Sequence, residues 1–475
     1  MKLLPASRPV LPLLLVPALL LAGCANLAPK YEVPSVDTPA AFKEGTGVWV
    51  QAAPADTLER GTWWELFDDP TLNALAAQVD VTNQNVAAAI AAYEQARALT
   101  REQRAALFPQ VTLDGSANRT GGPDQPSTRS YRVNLGASWE PDVFGRLRLT
   151  VQSARYGEQV AEADLAAARL AARGELASNY FTVRQADLFY ALQKDVVAGY
   201  QRAMLITSNR YQAGIVARTD VLQAQTQLAN AQADLLTLER TRQTSEHAVA
   251  VLVGRAPADF SIPVDLKWTV RIPRLPPEMP STLLQRRPDI AAAERQVAQA
   301  NAQIGIARAG YFPSFGLTGS ISSASATIGD LFKASSLVWA LGLTATQMVF
   351  DAGATTARVD QARAALGKAA AQYRQTTLAA FQDVEDQLVA LRVLEQQQSL
   401  YAEASTAADL AERQTLNRYQ EGQVNYTDVI TAQQSAATAR RSLVQAQVNR
   451  QVTIVALIQA LGGGWGGLDT TQAAR

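Results

Sequence analysis

The sequence predicts a mainly α-helical protein with a membrane-type β part, built as a tandem duplication. Three observations lead there: two copies of a turn motif a fixed distance apart, helix-forming runs far longer than a globular domain uses, and paired runs that alternate apolar and polar residues. The turn motif is Arg210-Tyr211-Gln212-Ala213-Gly214 leading to Thr219-Asp220-Val221, and it returns as Arg418-Tyr419-Gln420-Glu421-Gly422 leading to Thr427-Asp428-Val429, an offset of 208. Phe108-Pro109 followed by Leu113, Gly115 and Ser116 returns as Phe312-Pro313 followed by Leu317, Gly319 and Ser320, an offset of 204. A period of about 200 residues is far too long for a solenoid.

The chain begins with an export signal. Lys2 and Arg8 precede a short apolar run, Leu11 to Ala22, broken by Pro12 and Pro17. A bilayer span needs roughly 20 residues. The run ends in Leu21-Ala22-Gly23-Cys24, and Cys24 is the only cysteine among 475 residues. This resembles a bacterial lipobox, in which 1–23 is removed and Cys24 carries diacylglycerol and palmitoyl chains. Ala25 in the next position favours outer-membrane sorting in lipoproteins of this kind. Residues 24–63 then form a lipidated tether.

Two repeats follow, 64–254 and 288–461. Each opens with a helix, Thr71 to Ala106 or Pro288 to Ala309, rich in Ala, Gln and Glu. Phe108-Pro109 and Phe312-Pro313 end them, because the residue before proline avoids the α region. Two strand-like runs come next. A long helix then covers Leu147 to Ser208, or Thr355 to Leu416. Roughly 60 residues span about 90 Å. Turns at Gly214 and Gly422 lead to return helices, Thr219 to Val253 and Thr427 to Leu461. First and return helices, set end to end, match the long helix in length. A soluble coiled-coil rod accounts equally well for the helices, but not for the strands.

In the second strand of the first repeat, Tyr131, Val133, Leu135, Ala137 and Trp139 share one face, and Arg132, Asn134, Gly136 and Ser138 share the other. In the second repeat Leu337, Trp339, Leu341, Leu343 and Ala345 alternate with Ser336, Val338, Ala340, Gly342 and Thr344. Val111 to Ala117 and Phe315 to Ile321 alternate likewise. A polar loop, Gly121 to Ser127, joins the first pair, and a Ser/Ala-rich loop, Ser322 to Ser336, joins the second. Barrel strands in a membrane read this way, apolar toward lipid and polar toward the lumen. A half-buried soluble sheet reads the same. Four strands cannot close a barrel, and open edges do not stand in lipid. Copies of the chain must then share one barrel, of twelve strands from three copies or sixteen from four. A proline-rich linker, 255–287, is expected to form a small mixed equatorial collar, and 462–475 a flexible tail.

Chemistry is sparse. Net charge is +0, which argues against a nucleic-acid partner. One histidine, His247, one cysteine and four methionines leave no metal-ligand cluster and weigh against a dedicated soft-metal path. No nucleophile, base and oxyanion constellation is present, so an enzyme is not expected.

Several motifs carry a family resemblance. They are Trp63-Trp64 with Phe67 and Asp69-Pro70, the segment Trp139-Glu140-Pro141-Asp142-Val143-Phe144-Gly145-Arg146, Arg286-Arg287-Pro288-Asp289-Ile290 with Ala293-Glu294, Tyr311-Phe312-Pro313, and both Arg-Tyr-x-x-Gly turns. In these the chain resembles the TolC-type outer-membrane efflux proteins, and among them the NodT-type lipoproteins of multidrug pumps. The resemblance implies a homotrimer with a twelve-stranded outer-membrane barrel continued by a helical periplasmic barrel. It implies a periplasmic adaptor and an inner-membrane transporter, of the RND type, as partners. The duct of a type I secretion system is the alternative, and a periplasmic adaptor lipoprotein a more distant one. It places the turns at Tyr211, Gly214 and Gly422 at a closed periplasmic tip. There Tyr419 matches a tyrosine bonded to an aspartate, here Asp220, and Asp428 matches an acid at the constriction, flanked by Thr427 and Thr431. Thr431 and Val424 depart from residues some relatives use. Helix capping is the plain structural role for Asp220 and Asp428.

Cys24→Ser should abolish incorporation of radiolabelled palmitate while the barrel still inserts. Labelling of the variant at the wild-type level would remove the lipobox assignment.

Overall fold

The computed structural model describes residues 27–36, 43–44, 61–273 and 287–463. Cys24, Arg286 and most of the tail lie outside the described residues. The elements in order are α1 (Pro70–Thr82), α2 (Gln84–Ala105), β1 (Gln110–Gly122), β2 (Gln125–Trp139), α3 (Arg146–Gln212), α4 (Arg218–Leu252), α5 (Pro288–Ala309), β3 (Ser314–Ser325), β4 (Leu337–Thr346), α6 (Ala354–Gln420) and α7 (Tyr426–Ala460). The duplication is visible in the lengths: α2 and α5 have 22 residues each, α3 and α6 have 67, and α4 and α7 have 35. The long helices exceed expectation by about one and a half turns, near 100 Å each.

One expectation needs correction. The first helix is not continuous from Thr71 to Ala106 but breaks at Asn83, which is extended. The Asn83 Oδ1 accepts the N–H groups of Asn85 and Val86, starting α2, while its Nδ2 donates to the Leu252 carbonyl at 2.7 Å. One buried side chain thus caps the start of α2 and the end of α4. Arg287 does the matching work in the second repeat. It donates to the Ala460 carbonyl at the end of α7 and pairs with Asp289 in the first turn of α5. The end-to-end joints are therefore polar caps, and α1 has no counterpart among the described residues of the second repeat.

The chain divides into two compact units. The unit of 1–35, 92–162 and 292–375 holds the sheet, an antiparallel meander ordered β1-β2-β3-β4. Of the loop expected at Gly121 to Ser127, only Pro123 and Asp124 stand outside the strands. The register puts Val111, Leu113, Val133, Leu135, Ile321, Leu317, Trp339, Leu341 and Leu343 on one face. Among the described residues nothing covers that face: Trp339, Leu341 and Leu343 are 75%, 72% and 72% exposed. Thr112, Asp114, Asn134, Ser138, Thr318 and Thr344 occupy the other. Both outer edges, of β1 and β4, are unpaired among the described residues. Asp142 caps α3 through the N–H groups of Leu147 and Arg148, and Asp351 caps α6 through that of Thr355. Phe144 stacks on Phe312 at 4.8 Å. The Glu-Pro-Asp-Val-Phe-Gly-Arg segment is thus the strand-to-helix joint.

The unit of 36–91, 163–291 and 376–475 is helical. Its buried polar centre explains the Trp-Trp and Asp-Pro motifs. Asp69 caps α1 and accepts from the Tyr180 hydroxyl at 2.7 Å and the Trp268 indole at 3.1 Å. Tyr180 accepts in turn from Arg184. Desolvation, then the bond to Asp69, raises the Tyr180 phenol well above its ordinary range. Asp187, fully buried, pairs with Arg184 at 3.1 Å and Arg242 at 2.7 Å, and Arg242 reaches Glu246 and the Ile262 carbonyl. The described part of the linker is fastened here, through Ile262, Pro263 and Trp268.

Asp187→Ala should strand two inward-facing guanidinium groups and cost about 3–5 kcal/mol. The apparent melting temperature in detergent should fall accordingly, and an unchanged value would show that water enters the network freely.

Candidate functional site

The two helix-to-helix turns close with the same backbone. The Ile215 N–H donates to the Arg210 carbonyl and the Gly214 N–H to the Tyr211 carbonyl, both at 2.9 Å. The Gln423 N–H donates to Arg418 at 2.9 Å and the Gly422 N–H to Tyr419 at 3.0 Å. Gly214 and Gly422 sit at φ +74° and +76°. This left-handed cap satisfies the last carbonyls of each long helix, and a Cβ strains it.

The side chains then diverge. Tyr211 is 43% exposed, whereas Tyr419 is 2% exposed. Tyr419 lies in a cluster with Ala203, Ala224, Tyr426, Val429 and Ile430. Val424 packs against that cluster. The Tyr419 hydroxyl meets Thr207 Oγ1 at 3.2 Å. Thr207 already gives its proton to the Ala203 carbonyl, so Tyr419 is the donor. The expected Tyr419–Asp220 bond is therefore corrected: the one hydroxyl proton goes to Thr207. Asp220 stands in the first turn of α4, its N–H bonded to the Ala217 carbonyl.

Arg210 is the bridge between the two hairpins. Its guanidinium donates to the Tyr419 carbonyl at 2.9 Å and lies over the Tyr419 ring, 4.7 Å from the centroid. It belongs to the repeated motif, so sequence named the residue type; only the fold shows which repeat's arginine engages which repeat's tyrosine. Tyr426, where the first repeat has Arg218, was likewise not singled out. Its ring is 5.7 Å from that of Tyr419, and its hydroxyl is buried without a hydrogen-bond partner. Burial above all, with Tyr419 and Tyr200 beside it, pushes its phenol up to about 12.

Asp428 completes a capping box, its carboxylate accepting the Asn425 N–H at 3.2 Å. Thr431 donates to the Thr427 carbonyl at 3.0 Å. Thr427, Asp428 and Thr431 are all exposed. They are brought together on one turn of α7, leaving their far sides free. Among the described residues no group of His, Cys, Asp and Glu is placed to hold a metal.

Residues 75–255 and 279–463 match the family described as outer membrane efflux protein. The chain is 30% identical over 462 residues to the probable efflux pump outer membrane protein TtgC of Pseudomonas putida, covering 95% of each. It is 29% identical to the cation efflux system protein CusC of Escherichia coli, covering 94% of this chain and 97% of that one. Among solved structures it resembles the outer-membrane channel OprN, with a TM-score of 0.82 at 29% identity over 93% of this chain and all of that one. The open state of the Neisseria gonorrhoeae MtrE outer membrane channel gives 0.81 at 31% identity, over 93% and 98%.

The two tyrosines should respond oppositely to loss of the hydroxyl. Tyr419→Phe removes a made hydrogen bond and should cost about 0.5–1.5 kcal/mol per chain. Tyr426→Phe removes an unpaired buried hydroxyl and should stabilise by about 1 kcal/mol. Because the fold favours the neutral Tyr426 phenol, its contribution is intact below about pH 10. It is lost as pH rises from there through about 12. Thermal melts from pH 8 to 12 should show the Tyr426→Phe protein losing less stability than wild type; parallel curves would assign the alkaline loss to other groups.

Proposed function

The chain belongs to the outer membrane efflux protein family, and from that membership we propose that it is the lipid-anchored outer-membrane exit duct of a tripartite efflux pump. The observation that carries this is the sheet: four strands, one uncovered apolar face, one polar face and two unpaired edges. Such a sheet is stable in lipid only when other copies pair with β1 and β4. Three copies give a twelve-stranded barrel with room for an aqueous lumen lined by Thr112, Asp114, Asn134 and Thr318. The solved channels with this fold support that count. Cys24 holds each copy to the membrane through acyl chains, each buried methylene contributing about 0.8 kcal/mol.

Conduction is passive, with no chemical step in this chain. A periplasmic adaptor and an inner-membrane transporter supply substrate and energy. The turn region is the gate. Arg210 and Thr207 tie the second hairpin to the first through Tyr419. Opening that spreads the hairpins breaks these contacts, and symmetry multiplies their cost by the number of copies. Asp428, exposed beside Thr427 and Thr431, lines the constriction. A ring of carboxylates there concentrates cations and repels anions.

Detergent-corrected light scattering should give three times the mass of the processed chain, which is 51.0 kDa less residues 1–23. In planar bilayers the Arg210→Gln, Tyr419→Phe double variant should conduct more than wild type, and Asp428→Asn should be less cation-selective. A stable monomer would end the shared-barrel reading. Wild-type conductance in the double variant would move the gate away from Tyr419.

A further inference from the structure

On the apolar face of the sheet, the β1–β2 ladder does not end with an apolar pair. Along β2 that face carries Trp139, Ala137, Leu135, Val133 and Tyr131. Opposite them on β1 stand Val111, Leu113, Gly115 and Ala117. The register continues without a shift through Arg119↔Arg129, so the next position on the same face is two arginines directly across from each other. The irregularity comes later, between Thr120 and Gly122. From Trp139 to Tyr131 the strand rises about 27 Å, which on a tilted strand covers most of the roughly 25 Å apolar band of a membrane barrel. Tyr131 is the aromatic that closes the band, and the arginine pair stands about 7 Å further out.

Like charges directly opposite on a ladder repel. Among the described residues neither arginine forms an ion pair. Arg119 donates to Ser127 Oγ at 3.2 Å, a neutral partner on the same face. Asp114 lies on the opposite face, and Asp124 is in the turn. In the loop after β3 the single carboxylate, Asp330, is engaged with Lys333 at 2.5 Å and Thr327 at 2.6 Å. β3 stops pairing with β2 at Tyr131↔Ser325, so no third strand supplies an acid at the level of the pair.

Two guanidinium groups on the lipid-facing side, one step beyond the interfacial tyrosine, form a fork for a phosphate. Arg presents up to five N–H donors in a plane that matches phosphate oxygens. Resting on the outer-membrane barrel proposed above, we infer that Arg119 and Arg129 bind the phosphate groups of an outer-leaflet glycolipid headgroup, one site per copy. The ligand's acyl chains lie along Leu113, Leu135 and Val133, and its phosphate sits between the guanidinium groups. The site would fix the depth of the barrel and favour a membrane whose outer leaflet carries phosphorylated lipid.

The test uses the full-length protein in maltoside micelles doped with bisphosphorylated lipid A, with retained lipid counted by native mass spectrometry and a Kd taken from titration. Wild type should retain the lipid. Arg119→Gln with Arg129→Gln should weaken it by at least about tenfold, since two charge-assisted contacts are lost. Arg132→Gln, on the opposite face, should leave it unchanged, and dephosphorylated lipid A should bind wild type no better than the double variant. If the double variant is still a trimer by mass and keeps wild-type affinity, the site is wrong and the barrel stands. Equal binding of dephosphorylated lipid A overturns it too. Full displacement by millimolar inorganic phosphate would show a free-phosphate site and overturn the lipid assignment. A wild type that forms no oligomer would overturn the barrel and this site together.

Discussion

An unpaired strand edge cannot be left in hydrocarbon, where no water replaces the missing partner. The meander β1 to β4 has two such edges and an apolar face that no described residue covers. Most other features answer to that condition. The strands alternate because one side meets lipid and the other water. The loop between β1 and β2 is polar because it stands beyond the bilayer. Asp142 and Asp351 start the long helices where the strands end, so that the exchange of sheet bonds for helix bonds leaves no backbone group unmet. Association of copies is part of folding here, because a single chain has no complete structure in a membrane.

The helical unit solves a different problem. Apolar packing around Phe67, Tyr180, Phe181 and Ile454 holds its helices together but is not directional, so it does not by itself fix where one helix stops and the next begins. Buried polar groups do that. Asn83 and Arg287 each serve two helix ends at once. Asp69, Asp187 and Glu246 gather the start of α1, the middle of α3, the end of α4 and the linker into one hydrogen-bonded centre. Each partner is expensive to remove, which makes these joints specific in a way that apolar packing is not.

At the turns, duplication and divergence act on different levels. The backbone is copied, with the same glycine conformation and the same two closing bonds. The side chains are not equivalent: the arginine that matters comes from the first repeat and the tyrosine from the second. A symmetric pair of hairpins would offer two identical half-locks. Burying Tyr419 and exposing Tyr211 leaves one such contact per chain, set by Arg210 and Thr207, with the unpaired Tyr426 hydroxyl beside it.

Helix and strand identities, the duplication, the alternation of the sheet and the glycine turns were legible in the sequence, because each is set by residues within a few positions of one another. The family resemblance was legible for the same reason: its motifs are local joints. Two readings failed where that locality ends. The helix from Thr71 looked continuous because Asn83 is tolerable within a helix. Its break depends on the Leu252 carbonyl, 169 residues away, which offers the side chain a better partner. Tyr419 was matched to Asp220 by resemblance, yet its proton goes to Thr207, 212 residues distant, because the packing of α3 against the second turn brings that hydroxyl nearest. The sequence by itself determined the local backbone, since φ/ψ preference and capping are short-range. Only the tertiary structure decided which of two near-identical turns buries its tyrosine, because burial depends on neighbours that local sequence does not contain.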